Sequence, residues 1–167
     1  DAALRLAQLE NGRLRKESMA LEPGIISGGQ IKNRQKFLDA LLKLRSHLGK
    51  RKGEMTTVMS LPPNQVYTRN FNIPQVREKD LEATAVLNLQ MVSPLDVKNV
   101  YLDWQKASAE FIGAFAKQEI VDNYLRILKE AGFEVAAVEF PALAVARLVK
   151  EFALGPDRIR PQLVAVV

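Results

Sequence analysis

Cysteine is absent from this 167-residue sequence, and histidine occurs once, as His47. Without cysteine the chain can form neither a disulfide framework nor a thiolate metal site, which fits a reducing compartment. No apolar run in the sequence approaches the ~18 residues that a membrane-spanning helix requires. No partner residue for acid–base chemistry is implied near His47, so the sequence predicts a surface position for it rather than a catalytic one.

The motifs of several enzyme classes are missing as well. The sequence has no Walker phosphate loop, no paired histidines and no nucleophile elbow. The Gly28-Gly29 pair is too short to cradle a phosphate, and it predicts a bend. Asp103 is expected to form a structural ion pair with Arg69 on a neighbouring strand rather than to act as an acid or base. The residues alone therefore predict a soluble α/β domain without visible catalytic chemistry.

The composition is that of a folded domain with one basic cluster. Hydrophobic residues make up 47% of the chain and charged residues 26%, and the net charge is +5. Lysine and arginine concentrate between residues 43 and 53, at the end of a predicted helix, where cations complement the helix dipole. No aromatic residues interleave with these cations as in single-strand binders, so the cluster does not predict nucleic-acid binding.

Local patterns predict alternating strands and helices. Asn11-Gly12 predicts a hairpin over residues 2–20, and Asn33 predicts the N-cap of the first helix. Periodicity predicts further strands at 56–61, 66–73, 100–105, 109–116 and 135–140, and helices at 81–92 and 120–128. Pro141 predicts the first turn of another helix, and a last strand is predicted from Leu163. This order of elements predicts the class α/β or α+β.

Five short motifs follow one another over nearly the whole chain. They are GIISGGQI (24–31), VYTRNFNIP (66–74), SPLDVKNVYLDWQ (93–105), AKQEIVD (116–122) and EFPALA (139–144). In this order they resemble motifs of the PilM family of type IV pilus assembly proteins, which is related to FtsA, to actin and to the type II secretion protein GspL. The resemblance covers both predicted helical and predicted strand segments.

The resemblance implies an α/β fold: an actin-like, ribonuclease H-like half-lobe with an inserted α+β subdomain of the FtsA and PilM type. Residues 1–61 and 132–167 would form part of the first actin-like lobe, and residues 62–131 would form the insert. The chain opens without methionine and closes on an apolar run at 162–167, so it is expected to be the N-terminal half of a longer protein.

The resemblance also implies a function. A PilM-like protein would be a non-catalytic cytoplasmic scaffold at the inner face of the bacterial cytoplasmic membrane, binding the cytoplasmic tail of an inner-membrane, PilN-like partner. Membrane association would run through that partner, no nucleic acid is expected, and a homo-oligomer is allowed. Tyr67, Arg69 and Phe71 are the candidate partner contacts, because their shared strand face mixes apolar and cationic groups. Two alternatives stay open: a GspL-like cytoplasmic domain, and a fragment of an actin-like ATPase or kinase.

Nucleotide binding is where this chain departs from the family pattern. The family's first phosphate loop carries three hydroxyl side chains at the positions of Asp1, Ala2 and Ala3. A hydroxyl donates a hydrogen bond to phosphate, whereas an aspartate repels it. The resemblance therefore implies a degenerate loop, with no catalytic residue, metal ligand or cofactor expected in this fragment, and it leaves ATP binding by a full-length parent open.

Overall fold

The computed structural model describes residues 3–10, 13–48, 53–107 and 110–139. Within them the α-helices are α1 (Arg34–His47), α2 (Glu78–Val92) and α3 (Gln118–Glu130). The strands are β1 (Ala3–Glu10), β2 (Arg13–Ala20), β3 (Ile26–Ser27), β4 (Gln30–Ile31), β5 (Met55–Ser60), β6 (Tyr67–Phe71), β7 (Val100–Ala107), β8 (Glu110–Lys117) and β9 (Phe133–Glu139). Predictions for Asp1, Ala2, the basic residues at 49–52 and all residues from 140 onward lie outside the described ranges.

The predicted N-terminal hairpin is confirmed. Strands β1 and β2 pair antiparallel from Ala3 opposite Ala20 to Glu10 opposite Arg13, which leaves two residues for the loop. A second, shorter hairpin joins β3 to β4, with Gly28 and Gly29 at its turn and both in the left-handed region. The bend predicted at these glycines is therefore the turn of a hairpin whose two-residue strands were not predicted.

Helix α1 begins where the sequence predicts. The side-chain oxygen of Asn33 accepts a hydrogen bond from the backbone nitrogen of Lys36 at 3.0 Å, which satisfies one of the free amides of the first turn. The helix buries one face, formed by Phe37, Leu38, Leu41 and Leu44. Phe37, Leu38 and Leu41 of this face belong to the first hydrophobic core.

The first core joins two helices to a parallel pair of strands. Strands β5 and β9 run parallel, with an irregularity between Thr57 and Val58. Helix α3 packs against α1 and β9 through Ile120, Val121, Tyr124, Ile127 and Leu128. Parallel strands need a long crossover between them, and here that crossover contains β6, α2, β7, β8 and α3.

The crossover carries its own sheet and its own core. The strands lie in the order β6-β8-β7, all antiparallel, and α2 packs on one face. Gly113, in the central strand, permits this packing, because a Cβ there would overlap the side chain of Leu89. The second core consists of Phe71, Ala85, Leu89, Val100, Phe111 and Phe115.

The predicted ion pair between Arg69 and Asp103 is wrong. Strand β8 lies between their strands, with Arg69 opposite Gly113 and Asp103 opposite Ala114. Neighbouring residues of a strand point to opposite faces, so the two side chains lie on opposite faces of the sheet. Arg69 instead donates to the carbonyl oxygen of Thr68, and the Asp103 carboxylate accepts from the backbone nitrogen of Trp104.

The two cores can be compared with the predicted domain borders. All residues of the second core lie between positions 71 and 115, within the predicted insert at 62–131. Helix α3 also falls within that range, but its buried face packs in the first core. The borders at 61/62 and 131/132 stay a prediction.

Candidate functional site

A groove of about 580 Å³ lies between the crossover sheet and the parallel strands. Its lining residues come from five elements and the segment after β5: Val58, Leu61, Val66, Tyr101, Leu102, Asp103, Ala114, Phe115, Ala116, Val121, Leu125, Ala137, Val138 and Glu139. Residues more than 80 positions apart in sequence therefore meet around one concave surface. This groove is the candidate functional site.

Each wall of the groove follows from strand geometry. Tyr101, Asp103, Ala114 and Ala116 are on the face of the crossover sheet opposite α2, by the alternation of the register. The opposite wall is the carboxyl end of β9, residues 137–139. Crevices at the carboxyl ends of parallel strands are common ligand sites in α/β proteins.

The groove is mostly apolar, and some of its apolar side chains are exposed. Val58 is 60% exposed and Val138 is 40% exposed, although both are on strands beside the first core. Val121 and Leu125 of α3 also line the groove, where Val121 is buried and Leu125 partly buried. Exposed apolar surface gathered in a concave site favours a ligand that removes it from water.

The edges of the two bordering strands add backbone groups to the site. Among the described residues, β7 pairs only with β8 and β9 pairs only with β5. Each strand therefore has one edge without a ladder partner in this part of the chain. An extended peptide could hydrogen-bond to such an edge while its alternate side chains enter the groove.

The charge of the groove is acidic. Asp103 and Glu139 line it from opposite walls, and no lysine or arginine is among its described lining residues. At the rim, the hydroxyl of Tyr101 donates to Oδ1 of Asp122 at 2.9 Å. This hydrogen bond and the nearby carboxylate charge raise the pKa of Tyr101 above its usual value.

The candidate contacts predicted from sequence lie elsewhere. Tyr67, Arg69 and Phe71 do share one face of β6, but it is the face toward α2, and none of them lines the groove. Phe71 is 6% exposed and packs on Phe111 with ring centroids 5.6 Å apart, so it serves the second core. Tyr67 and Arg69 are exposed, and their role in partner contact stays a prediction.

Two hydrogen bonds that hold the turn at Gly28 and Gly29 were not predicted from the sequence. The buried hydroxyl of Tyr124 donates to the carbonyl oxygen of Gly29 at 2.9 Å, and Gln65 donates to the carbonyl oxygen of Gly28. Burial raises the pKa of Tyr124 to about 12. The turn at 28–29 is thereby tied both to α3 and to the segment that enters the crossover.

Three other features were looked for in the described residues: a metal site, a membrane-spanning helix and the phosphate loop. They contain no group of three metal-ligating side chains close enough to hold an ion. None of the helices in these ranges is long and apolar enough to cross a bilayer. Of the three phosphate-loop positions, only Ala3 is described, as the first residue of β1.

Comparison with solved structures defines the class of protein. A structure described as "PilM-PilN type IV pilus biogenesis complex" matches with a TM-score of 0.70 and 21% identity, over 90% of this chain and 49% of that one. The cytoplasmic domain of EpsL, an inner membrane component of the type II secretion system of Vibrio cholerae, matches with a TM-score of 0.56 and 16% identity, over 83% of this chain and 52% of that one. The chain has the actin-like α/β fold of these proteins, as the resemblance implied.

The family follows from the sequence match. The family model described as "Type IV pilus assembly protein PilM" matches residues 2–167, and the chain therefore belongs to this family. It spans about half the length of the two solved structures that it matches. No curated protein matches it.

Proposed function

We propose that this chain is a non-catalytic scaffold module of a type IV pilus assembly machine, and that its groove binds an extended segment from the cytoplasmic tail of a PilN-like inner-membrane partner. It would act in the cytoplasm, at the inner face of the membrane, through that partner. Three observations support this proposal: the family match, the structural likeness to a protein solved as a PilM–PilN complex, and an open apolar groove.

The groove itself is the observation that carries the proposal. A volume of about 580 Å³ holds several side chains of a peptide but not a folded domain. Its lining combines apolar side chains with the edges of β7 and β9, which are the two features that bind an extended segment. Burying one leucine or isoleucine side chain contributes ~1.5–3 kcal/mol, so several anchors together with backbone hydrogen bonds are needed to offset the cost of association.

Peptide titration tests the proposal. A synthetic peptide of the first ten residues of the PilN-like protein from the same organism is titrated into the chain by isothermal calorimetry. The peptide is expected to bind, and Val138→Asp is expected to abolish binding, because it places a charge in the apolar wall. Met91→Asp is the matched control: Met91 is 84% exposed on α2, outside the groove, so this variant should bind normally.

Two outcomes would overturn the proposal. No heat of binding at millimolar peptide would remove the partner, and equal binding by Val138→Asp and the unmodified chain would remove the groove. Val58→Asp is a second test of the groove and is also expected to weaken peptide binding. Val58 is 60% exposed, so its replacement leaves the cores intact. Circular dichroism melts of all variants check that they are folded.

The non-catalytic part of the proposal rests on Asp1, Ala2 and Ala3, which stand where the family has phosphate-binding hydroxyls. A ligand that binds only the folded state raises the melting temperature of a protein. The proposal therefore predicts that MgATP, which would not bind, leaves the melting temperature of the full-length protein unchanged. A rise with MgATP that is absent with MgAMP would show a nucleotide site. An actin-like ATPase or kinase would then become the better description.

A further inference from the structure

Strand β6 is an edge of the crossover sheet. In the sheet order β6-β8-β7, β6 pairs only with β8 among the described residues. The backbone groups on its outer side therefore have no strand partner in this part of the chain. Such an edge is a template for pairing with another strand, and folded proteins carry features that prevent this. No residue of β6 lines the groove, so a role for this edge goes beyond the proposed function.

The composition of β6 favours strand pairing except at its centre. Its five residues, YTRNF, include three types that are common in sheets: tyrosine, threonine and phenylalanine. The central residue, Arg69, is exposed and is the one charged residue of the strand. Prolines at 62–63 and at 74 stand close to either end, and they limit the length of chain that could pair.

The positive charge of Arg69 remains at this edge. Its Nη1 donates to the carbonyl oxygen of Thr68 at 3.0 Å, so the guanidinium also occupies an acceptor of the strand itself. Arg69 forms no ion pair with an acidic side chain of the described ranges. The sequence from 62 to 77 contains a second arginine but no aspartate or glutamate. Nothing in this part of the chain therefore neutralises the charge.

Symmetry decides what Arg69 would meet in a second copy of the chain. Two β6 strands can pair antiparallel about a two-fold axis perpendicular to the sheet. The register that pairs all five residues puts the axis at position 69, so Arg69 lies opposite the same residue of the second copy. Directly opposed side chains have Cβ atoms ~4.5–5.5 Å apart, and like charges there are destabilising. A register shifted by two residues would pair only positions 67 to 69 or 69 to 71.

Apart from this charge, the pairing would be favourable. It would join two three-stranded sheets into one sheet of six strands and satisfy the outer backbone groups of both β6 strands. With the axis perpendicular to the sheet, both α2 helices would lie on one face, and α2 contacts β6. Helix α2 also carries two strongly exposed apolar side chains, Leu87 and Met91. The helices therefore add surface to the contact beyond the strands.

We infer that the β6 edge is a self-pairing surface whose partner is a second copy of this chain, and that the charge of Arg69 keeps the two copies apart. One side chain is sufficient because it stands at the centre of the strand, where the two-fold axis opposes it to itself. An arginine at any other position of β6 would meet a different residue in the full register.

Sedimentation velocity of the whole chain over a series of concentrations tests the inference. The unmodified chain is expected to sediment as a monomer. Arg69→Thr is expected to form a dimer as its concentration rises, since threonine removes the charge and suits a strand. Arg126→Thr is the matched control: Arg126 is exposed on α3, outside the crossover sheet, so the same change of net charge there should leave a monomer. Equal association with arginine and with threonine at position 69 would overturn the inference.

A charge exchange separates the effect of charge from that of size. Arg69→Glu alone should stay monomeric, because two glutamates repel each other as two arginines do. Its equimolar mixture with the unmodified chain should form a dimer in which an arginine faces a glutamate, and high salt should weaken it. Arg126→Glu, mixed in the same way, should form no dimer. If Arg69→Thr dimerises but the mixture does not, the bulk of Arg69 and not its charge separates the copies.

Cysteine substitution tests the register. The chain has no cysteine of its own, so Arg69→Cys carries a single thiol. The axis at position 69 brings the two thiols opposite each other, within the ~4.4–6.8 Å between Cα atoms that a disulfide spans. Oxidised glutathione should therefore crosslink this variant into dimers. Tyr67→Cys made together with Arg69→Thr should crosslink far less, because position 67 faces position 71. Equal crosslinking of the two variants would contradict the two-fold pairing.

Discussion

The hydroxyl of Tyr124 on α3 donates a hydrogen bond to the carbonyl oxygen of Gly29 across 95 positions of sequence. The Tyr124 ring also meets Phe37 of α1 edge-on, with centroids 5.8 Å apart. One buried side chain thus joins both helices of the first core to the turn between β3 and β4.

Replacing Tyr124 by phenylalanine is expected to lower the free energy of unfolding by about 1–2 kcal/mol. The ring contacts remain, but the Gly29 carbonyl oxygen loses its partner in a buried setting. Urea denaturation measures the change. Tyr101→Phe is the matched control, since its hydroxyl bond is at the exposed rim, and a comparable loss there would contradict the role given to Tyr124.

The same tyrosine predicts a loss of stability at high pH. Burial raises the pKa of Tyr124 in the folded chain to about 12, above the usual value of 10.0. The unfolded chain therefore releases this proton first, and the associated stability is complete below pH ~10 and declines as the pH rises toward ~12. The stability difference between the unmodified chain and Tyr124→Phe should shrink over this range in urea melts. A constant difference would show that the hydroxyl is not shielded from water.

Alanine at Gly113 is expected to destabilise the chain by about 1–3 kcal/mol. Its Cβ would overlap Leu89, so α2 would have to move away from the sheet. Leu89→Ala also destabilises the chain, because it empties a fully buried position. The double variant should cost less than the sum of the two single variants, since each change relieves the other. Strict additivity in thermal unfolding would mean that the two residues are not in conflict.

Asn33→Ala is expected to cost about 1 kcal/mol of stability. The first turn of α1 has no acidic residue and carries Arg34 and Lys36, so the Asn33 side chain is the group that satisfies a free amide at this end of the helix. Asn33→Asp keeps the acceptor and adds a negative charge at the positive end of the helix, and it should equal or exceed the unmodified chain. Chemical denaturation that ranks alanine level with aspartate would disprove the cap's contribution.

Variants of β6 distinguish the groove from the face predicted by sequence. Val138→Asp is expected to lose more affinity for the PilN-like peptide than Tyr67→Ala or Arg69→Ala, because Tyr67 and Arg69 do not line the groove. Phe71→Ala is expected to destabilise the fold by about 3–5 kcal/mol, as its side chain is in the second core. If Tyr67→Ala abolishes binding and Val138→Asp does not, the partner contacts β6 instead.

The features that sequence predicted well are local ones. Asn11-Gly12 and Asn33 act on residues within a few positions, and the hairpin and the start of α1 follow from them. The fold was predicted from five motifs that resemble those of the PilM family and that follow one another in the same order along the chain. The alternation of buried and exposed residues in β7 was predicted for the same local reason: side chains of a strand alternate.

The features that sequence missed depend on strand order. Arg69 and Asp103 are on strands of the same sheet, but β8 separates these strands, and its register with each of them places the two side chains on opposite faces. The groove could not be predicted either, since Asp103 and Glu139 become neighbours of one cavity only after β9 pairs with β5. No periodicity within one element contains that information.

Strand β8 ends at Lys117 and helix α3 begins at Gln118, without a linker. The sheet that forms one wall of the groove is therefore joined directly to α3, and α3 packs against α1 and β9 in the first core. A tilt of that sheet would have to turn α3 with it, against the helix's own packing. A peptide that binds the groove as proposed would therefore contact β8 and α3 together, two elements that are consecutive in the chain.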